Sequence, residues 1–223
     1  MRDKVLLSYV LIDGVFVVTG AIMLGFCVVV QNFMFETPKT GDQAARDLLY
    51  QQFPLTAGIV NSVFIFITFL ITVLGIVMPT RIWLKIGVYM TIVCSIFSMI
   101  LGLFLWMMTL KTKESFQLLW LAQPASVQDL MQTHFECCGY FNSTSPAFVT
   151  DATCPSPAAA ALMKGCSAPI TSFINVFIDN IFTAVFGMVG VDAVFIVAAA
   201  CLLKDRKERE RFRHIDEKSG TLL

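Results

Sequence analysis

The sequence predicts an all-α membrane protein: four transmembrane helices carrying a disulfide-stapled, mainly helical large extracellular loop. Three observations lead there. Of 223 residues, 57% are hydrophobic and only 14% charged, with a mean hydropathy of +0.74, whereas a soluble domain has roughly a quarter of its residues charged. Four apolar stretches reach the ~20 residues needed to cross a bilayer core. Four of the seven cysteines crowd into one segment between two of those stretches. The composition excludes an ordinary soluble domain, a disordered chain and a basic nucleic-acid binder.

The elements follow in order. Residues 1–4 are a short N-terminus, 5–30 the first span, 31–54 a small outer loop and 55–78 the second span. Residues 79–81 make a minimal inner turn, Met78-Pro79-Thr80-Arg81, which sets the second and third spans antiparallel. The third span is 82–110, the large outer loop 111–180, the fourth span 181–203 and the charged tail 204–223. Such spans must satisfy their backbone polar groups internally, so they read as long unbroken helices. Arg2 and Lys4 precede the first apolar run as in a signal peptide, but its length exceeds the 7–15 residues of a signal core, so a retained span is expected.

An even number of spans puts both termini on one side. Placing them in the cytoplasm gives that side eleven basic residues, seven of them in the tail, against five outside. This is the positive-inside bias. The expected location is the plasma membrane with cytoplasmic termini.

Cys137, Cys138, Cys154 and Cys166 all lie in the large loop. An even cysteine count in a small extracellular segment reads as a disulfide framework. Adjacent cysteines seldom bridge each other, so Cys137 and Cys138 each reach forward to Cys154 or Cys166. Zinc is the competing reading, but the paired ligand spacing of a zinc site is missing. Ser126-Val127-Gln128-Asp129 has the form of a capping box opening a stripe of Val127, Leu130, Met131, His134 and Phe135. Pro169 suits the first turn of another helix, whose apolar stripe runs into the fourth span. The loop is expected to be two helices extending the third and fourth spans, with 139–166 stapled across them. Asn142-Ser143-Thr144 is an N-glycosylation acceptor on the appropriate side.

Cys137-Cys138-Gly139 in the second outer loop of a four-span chain resembles the tetraspanin family, and the resemblance covers the whole chain. Gly165-Cys166 is similar to the family's late Gly-Cys, and Asp13 with Gly20 stands where the family places Asn and Gly. The resemblance implies the bridges Cys137–Cys166 and Cys138–Cys154, a cone-shaped bundle and a sterol-sized cavity. Glu136 to Tyr140, Asn142 to Pro146 and the charged tail resemble the fungal tetraspanins required for appressorium-mediated host penetration. That implies an organiser of polarised infection structures. Two features depart from animal members: Gly75-Ile76-Val77-Met78-Pro79 offers no cysteine, and the third span lacks an acidic or amide residue.

Asp13, Asn61 and Asp192 are polar residues inside spans, where ionisable groups invite a functional reading. Asp13 and Asp192 fall at similar depth, so a hydrogen-bonded clasp between the first and fourth helices is expected, joined by Tyr89 or Thr91. The same acids would suit an ion path, making a small transporter or channel accessory the alternative. A transporter normally shows broken helices or repeated halves, which this sequence lacks. Gly14, Gly20, Gly25, Gly87, Gly102, Gly187 and Gly190 permit close helix approach. Cys201 is a juxtamembrane palmitoylation candidate, while Cys27 and Cys94 read as apolar fillers. Thr221-Leu222-Leu223 is a weak peptide-ligand pattern for a PDZ-type domain. His134 reads as a packed surface histidine. With no nucleophile–base pair, metal cluster or phosphate loop, no catalytic residue, metal or enzymatic activity is expected. The expected partners are membrane lipids and membrane proteins, copies of itself included, met through residues 139–166 and the helix faces. A bound sterol is the only small molecule implied.

Overall fold

The computed structural model describes residues 2–78, 80–144 and 148–220, and the side chains of all of these except 2, 3, 214 and 216–220. Its helices are α1 Arg2–Phe33, α2 Gly41–Gln51, α3 Leu55–Val77, α4 Arg81–Ala122, α5 Ala125–Phe135, α6 Pro157–Ala161 and α7 Ser167–Gly220. No strand occurs among the described residues. Four helices, α1, α3, α4 and α7, are long and apolar enough to cross a membrane. Pro79, the Ser145-Pro146 run and Thr221-Leu222-Leu223 lie outside the described residues.

The chain divides into two compact units: Met1–Phe26, Thr56–Leu101 and Ala184–Leu223 form the first, Cys27–Leu55 and Gly102–Thr183 the second. In the first unit the buried positions recur with alternating three- and four-residue steps. They are Tyr9, Asp13, Phe16, Gly20 and Met23 on α1, and Gly58, Asn61, Ile65, Thr68, Thr72 and Gly75 on α3. On α4 they are Leu84, Gly87, Thr91, Cys94, Ser98 and Leu101, and on α7 Asp192, Phe195, Ala199 and Leu202. This seven-residue period belongs to nearly parallel helices that interlock along one seam. Phe195 stacks on Tyr9 and Phe16, with ring centroids 5.3 and 5.0 Å away. Two glycines bring helices close, since a Cβ on Gly20 would meet Ile65 and one on Gly87 would meet Thr72. Beside Gly14, Gly25, Gly187 and Gly190 a Cβ would meet nothing within 4 Å, so no close approach occurs there.

In the second unit α2 packs against α5. Their contact is tight at Gly41, where any side chain would strike the Leu130 carbonyl and His134. Residues 31–54, read as a loop, therefore carry a helix, tied internally by the Arg46–Asp42 ion pair at 2.8 Å. Residues 204–220, read as a charged tail, continue α7. The capping box is also corrected. Pro124, extended at φ −63°, ψ 152°, is the N-cap of α5, and no side chain caps it. Ser126 lies inside the helix, and Asp129 accepts a long contact from Thr133 at 3.5 Å. Val127, Leu130 and Phe135 are half-buried and Met131 buried, but His134 at the end of the stripe is exposed.

Candidate functional site

The first unit holds a buried polar seam. The Asn61 amide donates to Ser98 Oγ at 2.8 Å, Thr68 Oγ1 lies 3.6 Å from Cys94 Sγ, and Thr72 Oγ1 lies 3.0 and 3.1 Å from the Asp13 carboxyl oxygens. The expected clasp is absent among the described residues. Asp13 is held by Thr72, Thr91 bonds the Gly87 carbonyl, and Tyr89 is 70% exposed. Asp192 is 1% exposed, yet neither of its carboxyl oxygens has a hydrogen-bond partner, and neither does Asn61 Oδ1. The clasp failed although both acids face inward, because similar depth along two spans does not by itself bring two side chains into bonding reach. Thr72, the actual partner, was unremarkable as one of several hydroxyls in an apolar run.

At one end of this unit Arg206 donates to the carbonyls of Met78 and Ile76 at 3.1 and 3.2 Å. Those are carbonyls that the last turn of α3 leaves without an intrahelical partner. Arg81 pairs with Glu210, its Nε 2.6 Å from Oε1, so the extension of α7 is fastened to the α3–α4 connection by two guanidinium groups.

The second unit is organised by two cystines. Cys137 and Cys166 sulfurs lie 2.01 Å apart and those of Cys138 and Cys154 2.00 Å apart, the pairs that the family resemblance implied. All four cysteines are fully buried. Backbone bonds run beside them: Cys138 N–H to the Lys164 carbonyl, Cys166 N–H to Gly139 and Ser167 N–H to Tyr140, at 3.0, 2.9 and 2.8 Å. Gly139 takes φ 68° and Glu136 φ 49° to make the bend. At Gly165 a Cβ would collide with the backbone of Phe141 and Tyr140, so the crossing requires glycine.

Gln132, which the sequence reading passed over, sits at the centre. Fully buried on α5, it donates to the Val149 carbonyl at 2.8 Å and Asp151 Oδ2 at 2.6 Å. Its Oε1 accepts from Val149 N–H at 3.1 Å and Gly139 N–H at 3.4 Å. One amide thus ties both limbs of the loop to the helix. Asp151 in turn accepts from Cys154 N–H. Tyr140 donates from its hydroxyl to the Lys113 carbonyl at 2.6 Å and packs on Trp120, ring centroids 5.8 Å apart. Burial pushes the Tyr140 hydroxyl well above the ordinary phenol range, so it remains a neutral donor.

Asn142 is exposed, and its Oδ1 accepts from both N–H and Oγ1 of Thr144 at 2.9 Å, which gives the Asn-Ser-Thr triplet a turned conformation. Cys201 is an exposed free thiol, and Cys27 and Cys94 are buried ones. On α2 two acids are perturbed in opposite senses. The Thr40 hydroxyl, then the Arg46 guanidinium, hold Asp42 below its ordinary range, while burial pushes Asp47 up and the Tyr50 hydroxyl up. Among the described residues no group of three or more His, Cys, Asp or Glu side chains is placed to hold a metal ion.

Chemically, the arrangement offers a rigid cross-linked surface and a partly unsatisfied polar seam. Compared with protein-family models, with curated proteins and with solved structures, the chain matches none.

Proposed function

We propose that this chain is a tetraspanin-like, non-enzymatic membrane organiser that assembles other membrane proteins and lipids laterally. Its four long apolar helices span the plasma membrane with cytoplasmic termini, and the 139–166 segment faces outward as the recognition surface. The observation that carries this reading is the divergence of two bridges from the adjacent Cys137 and Cys138. They lead to Cys166 and Cys154 and fix these four positions relative to one another, so little ordering entropy is lost there when a partner binds. The likeness to fungal members extends the proposal to polarised growth and host penetration. Proximity labelling with the full chain, against one whose 139–166 segment is replaced by a short linker, tests it. A defined set of membrane proteins should drop out of the labelled pool. An unchanged pool overturns the reading.

A second reading, an ion-path accessory, draws on one observation: Asp192 is buried with both carboxyl oxygens unpartnered. Reconstitution in liposomes separates the two. Cation flux that disappears in Asp192→Asn favours the path, and no flux above empty liposomes favours the organiser.

A further inference from the structure

In the first unit α1 and α7 border two hollows that lie end to end. One, of about 270 Å³, is lined by Lys4, Val5, Ser8, Ala198 and Cys201. The other, of about 490 Å³, runs from Leu11 and Val194 to Val15 and Gly187, and no polar side chain lines it. Lys4, Ser8, Leu11 and Val15 step along α1 at three- and four-residue intervals, as do Cys201, Ala198, Val194, Gly190 and Gly187 along α7. Each set is one helix face, so the hollows form a single trough. A Cβ on Gly187 or Gly190 would meet nothing within 4 Å, which keeps the far end open. Lys4 to Val15 spans about 17 Å at 1.5 Å per residue, close to one leaflet of a hydrocarbon core about 30 Å thick. At the mouth, Lys4 and Ser8 are exposed and have no ion-pair or hydrogen-bond partner among the described residues. Asp205, one turn beyond Cys201, is taken by Arg209.

We infer that this trough seats one anionic phospholipid, with its phosphate at Lys4 and Ser8 and one acyl chain along the apolar run towards Gly187. Charge complementarity and length select that occupant. The free cation stands at the end where a headgroup lies, and a lysine near the membrane surface attracts anionic lipid over zwitterionic lipid. The apolar run beyond it matches a chain from one leaflet, whereas a partner's spanning helix would need a seat twice as long. The inference deepens the lipid side of the organiser reading and rests on its membrane-spanning helices. Recognition by 139–166 does not depend on it, so its failure would leave the proximity-labelling result as it stands.

The test uses the purified full chain in a non-ionic detergent, titrated with dioleoyl phosphatidylserine or dioleoyl phosphatidylcholine and read by native mass spectrometry. One phosphatidylserine should bind about fivefold more tightly than phosphatidylcholine, the effect of one lysine near an anionic surface. Lys4→Gln should abolish that preference. Gly187→Leu with Gly190→Leu should fill the trough and abolish binding of both lipids. Gly25→Leu, at a glycine equally open but outside the trough, should change neither. Equal affinities in the native chain, a preference that survives Lys4→Gln, or binding that survives the filled trough overturns the proposal. If the Gly187 and Gly190 variant does not fold, the Lys4→Gln comparison decides alone. Glycerophosphoserine competing as well as the intact lipid overturns the lipid assignment in favour of a free phosphate. Dimers that added lipid does not displace and that the filled trough abolishes overturn it in favour of a second copy of this chain.

Discussion

The Thr72 hydroxyl lies 3.0 and 3.1 Å from the two carboxyl oxygens of Asp13 and 2.7 Å from the carbonyl of Phe69. A hydroxyl has one proton to give. Shared among these acceptors, that proton ties Asp13 on α1 to α3, with Thr72 as donor. Replacing Asp13 by Asn keeps an acceptor and should leave thermal unfolding in detergent nearly unchanged. Thr72→Val removes the donor and should cost about 0.6 kcal/mol, the average for polar contacts between membrane helices, and about 1.7 kcal/mol at most. Equal damage from both variants would refute the pairing.

The cystines should dominate the stability of the second unit. Closing loops of 29 and 16 residues of separation contributes about 3–4 kcal/mol each in the chain-entropy model. Cys137→Ser with Cys166→Ser should therefore unfold the 139–166 segment at temperatures the native chain tolerates, seen as rapid proteolysis between them. A variant that stays resistant would assign the fold of this segment to Gln132 and the backbone pairing instead.

Gln132→Leu leaves the N–H and carbonyl of Val149 and the N–H of Gly139 without their partner. Each buried group so orphaned costs about 1–3 kcal/mol. The expected phenotype is faster hydrogen exchange at residues 148–154 with both disulfides intact, checked by mass spectrometry. Exchange no faster than native would remove Gln132 from the centre of the unit.

The two acids of α2 predict opposite pH responses. Asp42 is held below its unfolded range, so its contribution is present at neutral pH and fades as acid protonates it. Asp47 is pushed above its unfolded range, so its cost is absent in acid and grows as pH rises through the folded value. Asp42→Asn should lower the melting temperature at pH 7, and Asp47→Asn should raise it. The Asp47 difference should vanish below the ordinary aspartate range, about pH 4, and the Asp42 difference only at lower pH, below its depressed folded value. The same sign for both variants at pH 7 would contradict the burial of Asp47.

Arg206→Ala frees the carbonyls of Ile76 and Met78 and should loosen the end of α3, read as faster amide exchange near residues 75–78. Arg206→Lys should rescue poorly, since a point charge cannot span two carbonyls as a planar fork does. Full rescue by lysine would reduce the contact to simple charge.

Much of this fold was legible because spanning helices must be long, continuous and apolar. Which face of each helix is buried was not legible, for a reason of physics. In an amphipathic soluble helix the core face is the apolar one. Here Leu11, Ile22, Leu70 and Ile96 are outside while Asp13, Thr72, Asn61 and Ser98 are inside, so apolarity marks the wrong side. The useful signal is the seven-residue recurrence of mostly small and polar residues, as in Gly58, Asn61, Thr68, Thr72 and Gly75 around the apolar Ile65. The α5 boundary was misread because Ser126 and Asp129 fit a template whose position Pro124 had already taken. Gln132 escaped notice because a lone amide carries no pattern, and only the loop folding back around it gives it work.

The crossing of residues 138–140 with 164–167 has an engineering corollary. The segment leaving that clamp is anchored a third time, since Cys154 is bridged to Cys138 and Gln132 holds Val149 and Asp151. A grafted epitope therefore has little free span to occupy: even Leu162, 89% exposed, sits between buried Ala160 and Met163, which packs on the Cys138–Cys154 pair.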